Sequence, residues 1–216
     1  MTGLRSDELG LHVSVCLGDE NLRPKPRLSV TDAIYNQQTV HDFQPQPVPA
    51  ASIHALLYAA IQAPMVQSCE QYSFAIVQGR KALAELSDWS ARSFSALEDQ
   101  TLETPSPPGL GYLAADDRNI FFNASTLIIF YGSCASTLSL PDVWLAAGNL
   151  ILAACGMGYG TRIVVEAIEA LNSPEWRRRM KVPPHLFAVA PIIVGVAAGA
   201  RSETSRKAPD IVSWST

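Results

Sequence analysis

The clearest hydrophobic pattern runs through Ile53, Leu56, Leu57, Ala60 and Ile61. These recur at i, i+3, i+4, i+7 and i+8 and predict a helix closed by Pro64. A longer segment, from Val143 to Cys155, is apolar nearly all round. A helix of that kind, opened by Pro141-Asp142 and ended by Gly156, Gly158 and Gly160, belongs in the middle of a core or a subunit interface. Three runs read as strands. Tyr72 to Val77 is aromatic and β-branched, while Thr126 to Tyr131 and Ala188 to Val196 are continuous apolar runs, as expected of strands buried on both faces. Polar residues set the other boundaries. Ser29 with Asp32 three residues later starts a helix that ends near Asn36, and Ser173-Pro174-Glu175 starts another through Met180. Lys81 to Leu97 is expected to be helical, and Thr101 to Gly111, with three prolines and two glycines, to be a loop. The order is helix, helix, strand, helix, strand, long central helix, helix, strand, tail. That order predicts an α+β fold with a sheet sandwiched by helices.

Residues 1–28 lie outside this pattern. Pro24 and Pro26 alternate with Arg23, Lys25 and Arg27, which favours an extended arm, leaving 29–216 as one domain. At the other end Ile211, Val212 and Trp214 stand out from a polar tail and are expected to dock somewhere. Charged residues are only 17% of the chain against 48% hydrophobic, below the usual ~25%, so a large share of surface is expected to be covered by a partner. The net charge of −4 argues against a general nucleic-acid binder. The longest apolar stretch, Leu186 to Ala200, is broken by Pro191 and two glycines and does not suit a membrane span. The first ten residues are polar and lack a signal-peptide core, so a cytoplasmic location is expected. The four cysteines are scattered without CxxC spacing and read as reduced thiols. The four histidines form no ligand cluster, so no metal is expected.

No nucleophile elbow, P-loop, HExxH or GxGxxG motif is present. What the chain carries is a set of five blocks in order. They are Ala33-Ile34 with Gln37-Gln38-Thr39-Val40-His41-Asp42-Phe43 and Pro47-Val48-Pro49; Ala63-Pro64-Met65-Val66-Gln67-Ser68-Cys69-Glu70-Gln71-Tyr72; Asp142 to Leu150 with Gly148-Asn149; Gly156-Met157-Gly158-Tyr159-Gly160; and Pro191 to Gly195 with Arg206-Lys207 in the tail. In order and spacing the chain resembles the nitroreductase family of flavin enzymes. The resemblance implies a homodimer with a central, mostly antiparallel sheet and FMN at the subunit interface. It implies transfer of hydride from NAD(P)H through the flavin to a nitro compound, quinone or related acceptor, or oxidation of a biosynthetic intermediate. In such enzymes the cofactor performs the redox step and the protein binds, orients and tunes it.

The resemblance assigns cofactor-binding roles to Gln37, Gln38, Thr39 and His41 in the first loop and to Pro64, Ser68 and Glu70 in the second. It assigns them also to Gly158, Tyr159 and Gly160 after the long helix, and to Arg206 and Lys207 near the C-terminus. Several positions depart from the family pattern. The first loop usually brings arginine or lysine to the FMN phosphate, whereas this chain offers two glutamines, the Thr39 hydroxyl and a histidine expected to be partly cationic near neutral pH. Each charge-assisted bond lost costs roughly 1.5–3 kcal/mol. Glu70 places an acid where neutral amides are usual, and Arg162 to Val165 lacks the Glu-Gly pair that some members bring to the flavin edge. A second reading therefore stands beside the enzyme: a non-catalytic dimer of the same fold, with weakened or lost FMN binding, acting as a partner subunit.

Overall fold

The sheet is built around β2 (Thr126–Ser133), whose side chains alternate between two apolar layers. The computed structural model describes residues 28–66, 72–98, 119–133, 139–199 and 206–215, without the side chains of 91–98 and 139. The predicted arm before residue 28, the 101–111 loop, Ser68 and Glu70 lie outside the described residues. β1 (Tyr72–Gln78), β2, β4 (Leu186–Gly195) and β3 (Gly160–Ile163) form one sheet in the order β1-β2-β4-β3, with every pairing antiparallel.

Ile128 and Phe130 of β2, with Ile192 and Val194 of β4, face α2 (Ala50–Ala60) and α4 (Ser139–Gly156). Leu127, Ile129 and Tyr131, with Ile193, face α3 (Arg80–Glu98), α5 (Ile168–Asn172) and α6 (Pro174–Arg179). The expected sandwich is thus the observed one. Between Phe130 and Tyr131 the β2–β4 register shifts, so that Phe130 opposes Ala190 and Tyr131 opposes Ala188. Val189 is the extra residue of this bulge, and Pro191, which cannot donate to the ladder, sits two residues beyond it.

Local chemistry explains the boundaries. In α1 (Val30–Asn36) the Ser29 hydroxyl oxygen accepts from the Asp32 backbone N–H at 3.1 Å, as the capping pattern predicted. Ser173 caps α6 in the same way through the Trp176 N–H. α2 and α4 run antiparallel. At one end the Tyr159 hydroxyl donates to Ser52 Oγ at 3.0 Å, and further along the Asn149 side-chain amide donates to the Ala59 carbonyl at 3.2 Å. α4 begins at Ser139, two residues before the expected Pro141. Three elements were not foreseen: β3, the 3-10 turn Val165–Ala167 and α5.

α4 buries Val143, Ala146, Ala147, Leu150 and Ala154, but Leu140, Trp144 and Leu145 on its flank are about 40% exposed. Also exposed are Val30, Ile34 and Tyr35 of α1, which packs on α4, and Met65 and Val66 of the loop tied to Asp142. The tail does not dock on the described residues: Ile211, Val212 and Trp214 are 60%, 97% and 80% exposed. Among the described residues no helix is long and apolar enough to cross a membrane.

Candidate functional site

The first loop is fastened to the edge of the sheet at β3. Thr39 bridges Thr161, and the Val40 N–H donates to the Thr161 carbonyl at 3.1 Å. Phe43 then bridges Ala197, and the Ala198 N–H donates to the Asp42 carbonyl at 2.9 Å. The loop therefore runs as a short added edge beside β3, with Thr39 and His41 exposed and Gln37 and Gln38 half-buried. The Gln37 N–H closes α1 on the Ala33 carbonyl, while Gln38 Oε1 is buried without a hydrogen-bond partner.

Sequence reasoning missed the charged group at this loop. Arg162, in the middle of β3, places Nη1 3.0 and 3.3 Å from the two ring nitrogens of His41. Its guanidinium carbon lies 4.3 Å from the centroid of the Phe122 ring, and the His41 ring meets the same phenyl edge-on at 5.7 Å. Nη2 faces Glu166 at 3.8 Å, with both side chains about 15% exposed. Arg162 Nε and Glu166 Oε2 are buried without partners. The ring platform is held under strain: Phe122 has φ +50°, a left-handed value rare for a bulky residue, while its carbonyl accepts the Phe43 N–H. Burial first, and the Arg162 guanidinium second, hold His41 below its ordinary histidine value. His41 therefore carries less positive charge near pH 7 than an ordinary histidine, and the fixed positive charge at this loop is that of Arg162.

The turn after α4, where the resemblance placed Gly158, Tyr159 and Gly160, also ends the helix. The Tyr159 N–H donates to the Ala154 carbonyl and the Gly158 N–H to the Cys155 carbonyl, with Gly158 at φ +87°. This is a Schellman cap, and it engages both N–H groups in ending the helix. Gly160 serves the first loop directly. A Cβ built on it would fall within the Val40 side chain, 3.2 Å from the Val40 Cβ and closer still to its Cγ2. Gly160→Ala is expected to cost roughly 1–3 kcal/mol by overpacking this seam. Adding Val40→Ala is expected to restore most of the loss in denaturant unfolding, because the clash is with that side chain rather than with backbone.

The second loop sits at the far end of α4. The Val66 N–H donates to Asp142 Oδ1 at 2.6 Å, and Asp142, only 1% exposed, has its other oxygen buried without a partner. Pro64 is exposed two residues earlier. Arg206 and Lys207 are also exposed and form no hydrogen bond or ion pair with the described residues. Among those residues no cluster of three potential metal ligands occurs.

No curated protein sequence matches the chain. Its fold matches solved structures at low identity. A nitroreductase with bound FMN from Bacteroides fragilis NCTC 9343 superposes with a TM-score of 0.73 at 20% identity, covering 86% of this chain and 98% of the other. A second, with bound FMN, from Desulfitobacterium hafniense DCB-2, gives 0.69 at 17% identity over 82% and 94%. Oxidised iodotyrosine deiodinase bound to FMN and 3-iodo-L-tyrosine gives 0.67 at 22% identity over 87% and 100%. The model of the nitroreductase family matches residues 34–196, spanning the first loop, α4, β3 and the whole sheet, and this chain belongs to that family.

Proposed function

We propose that this chain works as a two-fold homodimer that holds FMN between its protomers and passes two electrons from NAD(P)H to a small organic acceptor, a nitro compound, quinone or related molecule. The observation that carries this reading is the separation of the two family-like loops. The first loop is tied to β3, just past the C-terminal end of α4; the second is tied to Asp142, in its first turn. At 1.5 Å per residue, α4 from Asp142 to Gly156 spans about 21 Å. One flavin mononucleotide does not reach both ends. A second copy packed antiparallel along the exposed apolar flank of α4 brings its second loop to this protomer's first loop, and the two-fold operation builds the site twice.

FMN, when bound, supplies the two-electron carrier. The chain supplies the rest. The Gln37 and Gln38 amides and the Thr39 hydroxyl are hydrogen-bond donors for the phosphate. Gly160 lets the first loop lie close against β3. Pro64, Ser68 and Glu70 of the second copy, with apolar Met65 and Val66, would wall the ring from water, and Arg206 and Lys207 add charge from the tail. The buried partnerless atoms at Gln38 and Arg162 fit a polar ligand there. The same reading takes the chain to work in the cytoplasm, where NAD(P)H is supplied.

The purified protein is expected to be yellow, to release FMN on denaturation and to oxidise NADH or NADPH when a quinone or nitroarene is added. A colourless dimer that takes up no added FMN would instead establish the scaffold reading, in which the fold serves as a partner subunit.

A further inference from the structure

We propose that Arg162 is the cation of the anion clamp, meeting the FMN phosphate from β3 in place of the charges missing at Gln37, Gln38 and His41. This rests on the flavin reading above. Three features of the geometry argue for it. The first is donor capacity. A guanidinium carries five N–H donors and accepts nothing. Here one nitrogen faces His41 within hydrogen-bond distance, Nη2 meets Glu166 only at ion-pair distance, and buried Nε has no partner. An enclosed arginine with unfilled donors is short of an oxygen-rich anion.

The second is aim. The Phe122 ring beneath the guanidinium and the His41 ring beside it fix its plane, and the chain tolerates a left-handed phenylalanine to keep that ring there. Because a guanidinium only donates, His41 in its neutral form accepts from Nη1 on one ring nitrogen and keeps an N–H on the other. That N–H is a further donor within the same loop. The third is setting: Thr39 is bridged to Thr161, the residue next to Arg162, and Gln38 beside it has a buried amide oxygen without a partner. A half-turn of that amide presents its NH2 group instead.

The test compares FMN with riboflavin, which has the same ring and no phosphate. Both affinities are measured by flavin fluorescence for the full chain and for Arg162→Gln and Glu166→Gln, at low and high salt, with far-UV circular dichroism confirming the fold. Arg162→Gln is expected to weaken FMN at least tenfold, leave riboflavin within twofold and flatten the salt dependence of FMN binding. Glu166→Gln, which removes the competing carboxylate, is expected to hold or tighten FMN. The proposal is overturned if Arg162→Gln leaves FMN affinity unchanged or weakens both flavins alike. It is also overturned if Glu166→Gln loses FMN as Arg162→Gln does, since that marks the pair as structural. If the unaltered protein binds neither flavin, the flavin reading itself fails, and the result is distinct from the others.

Discussion

Phe130→Ala is expected to destabilise the protein by roughly 3–5 kcal/mol, a large part of the ~5–15 kcal/mol that holds a domain folded. Phe130 is fully buried in the central strand, on the face covered by α2 and α4. Its ring packs edge-on against Phe74 of β1, with centroids 4.9 Å apart, and that ring packs in turn on Tyr72. It also lies at the register shift, opposite Ala190, where small residues on β4 leave the space its ring fills. The surroundings are strands fixed on both sides and two helices, so they relax little around a cavity. At about 2–4 °C per kcal/mol for a chain of this size, the melting temperature should fall by roughly 6–20 °C. The comparison must be made at equal protein concentration, because the proposed dimer would also contribute to apparent stability. A loss under 1 kcal/mol would mean that the α2–α4 layer is not the principal core.

Much of this fold can be read in the sequence because its main elements carry long-period signals. The spacing of Ile53, Leu56, Leu57 and Ala60, the apolar run of α4 and the two buried strands all report their own environment. The Ser29 and Ser173 caps report theirs locally. β3 gives no such report. It is four residues long, follows directly on a glycine-rich turn and carries Arg162 in its middle. It is a strand because β4 offers it an edge, and pairing with a partner some thirty residues onward is not encoded in a local pattern. α5 has five residues, too few to show a period. The same limit governs the site. Arg162 meets His41 across 121 positions of sequence, so the missing cation looked absent when it was only distant. One signal could have found it: a single arginine inside an otherwise small and apolar stretch, Gly160 to Val165, asks what anion or acceptor justifies it. The spacing of Gly158 was legible as a helix cap, and the structure gives it that role.

Trp144→Asp is expected to produce a folded, monomeric and colourless protein. Trp144 is 41% exposed in the protomer and lies next to the equally exposed Leu145 on α4. A carboxylate at this position leaves the isolated protomer's core intact, so the far-UV spectrum should be unchanged. In a two-fold interface the same substitution enters twice, and each buried unpaired charge costs several kcal/mol. A combined penalty of roughly 5 kcal/mol raises the dimer dissociation constant more than a thousandfold. Light scattering coupled to size exclusion reads the mass, and the visible spectrum reads the flavin. If the proposed shared site is right, the two readouts move together, because the second loop, held at Asp142 about 21 Å along α4 from the first, would then complete the site from another copy. Separation of the readouts is the informative failure. A monomer that stays yellow would show that one protomer holds its flavin alone, and a dimer that survives Trp144→Asp would move the interface off α4. The exposed tail offers an internal control. Ile211, Val212 and Trp214 are exposed among the described residues, so if a second copy covers them, Trp214 fluorescence should red-shift when Trp144→Asp splits the pair.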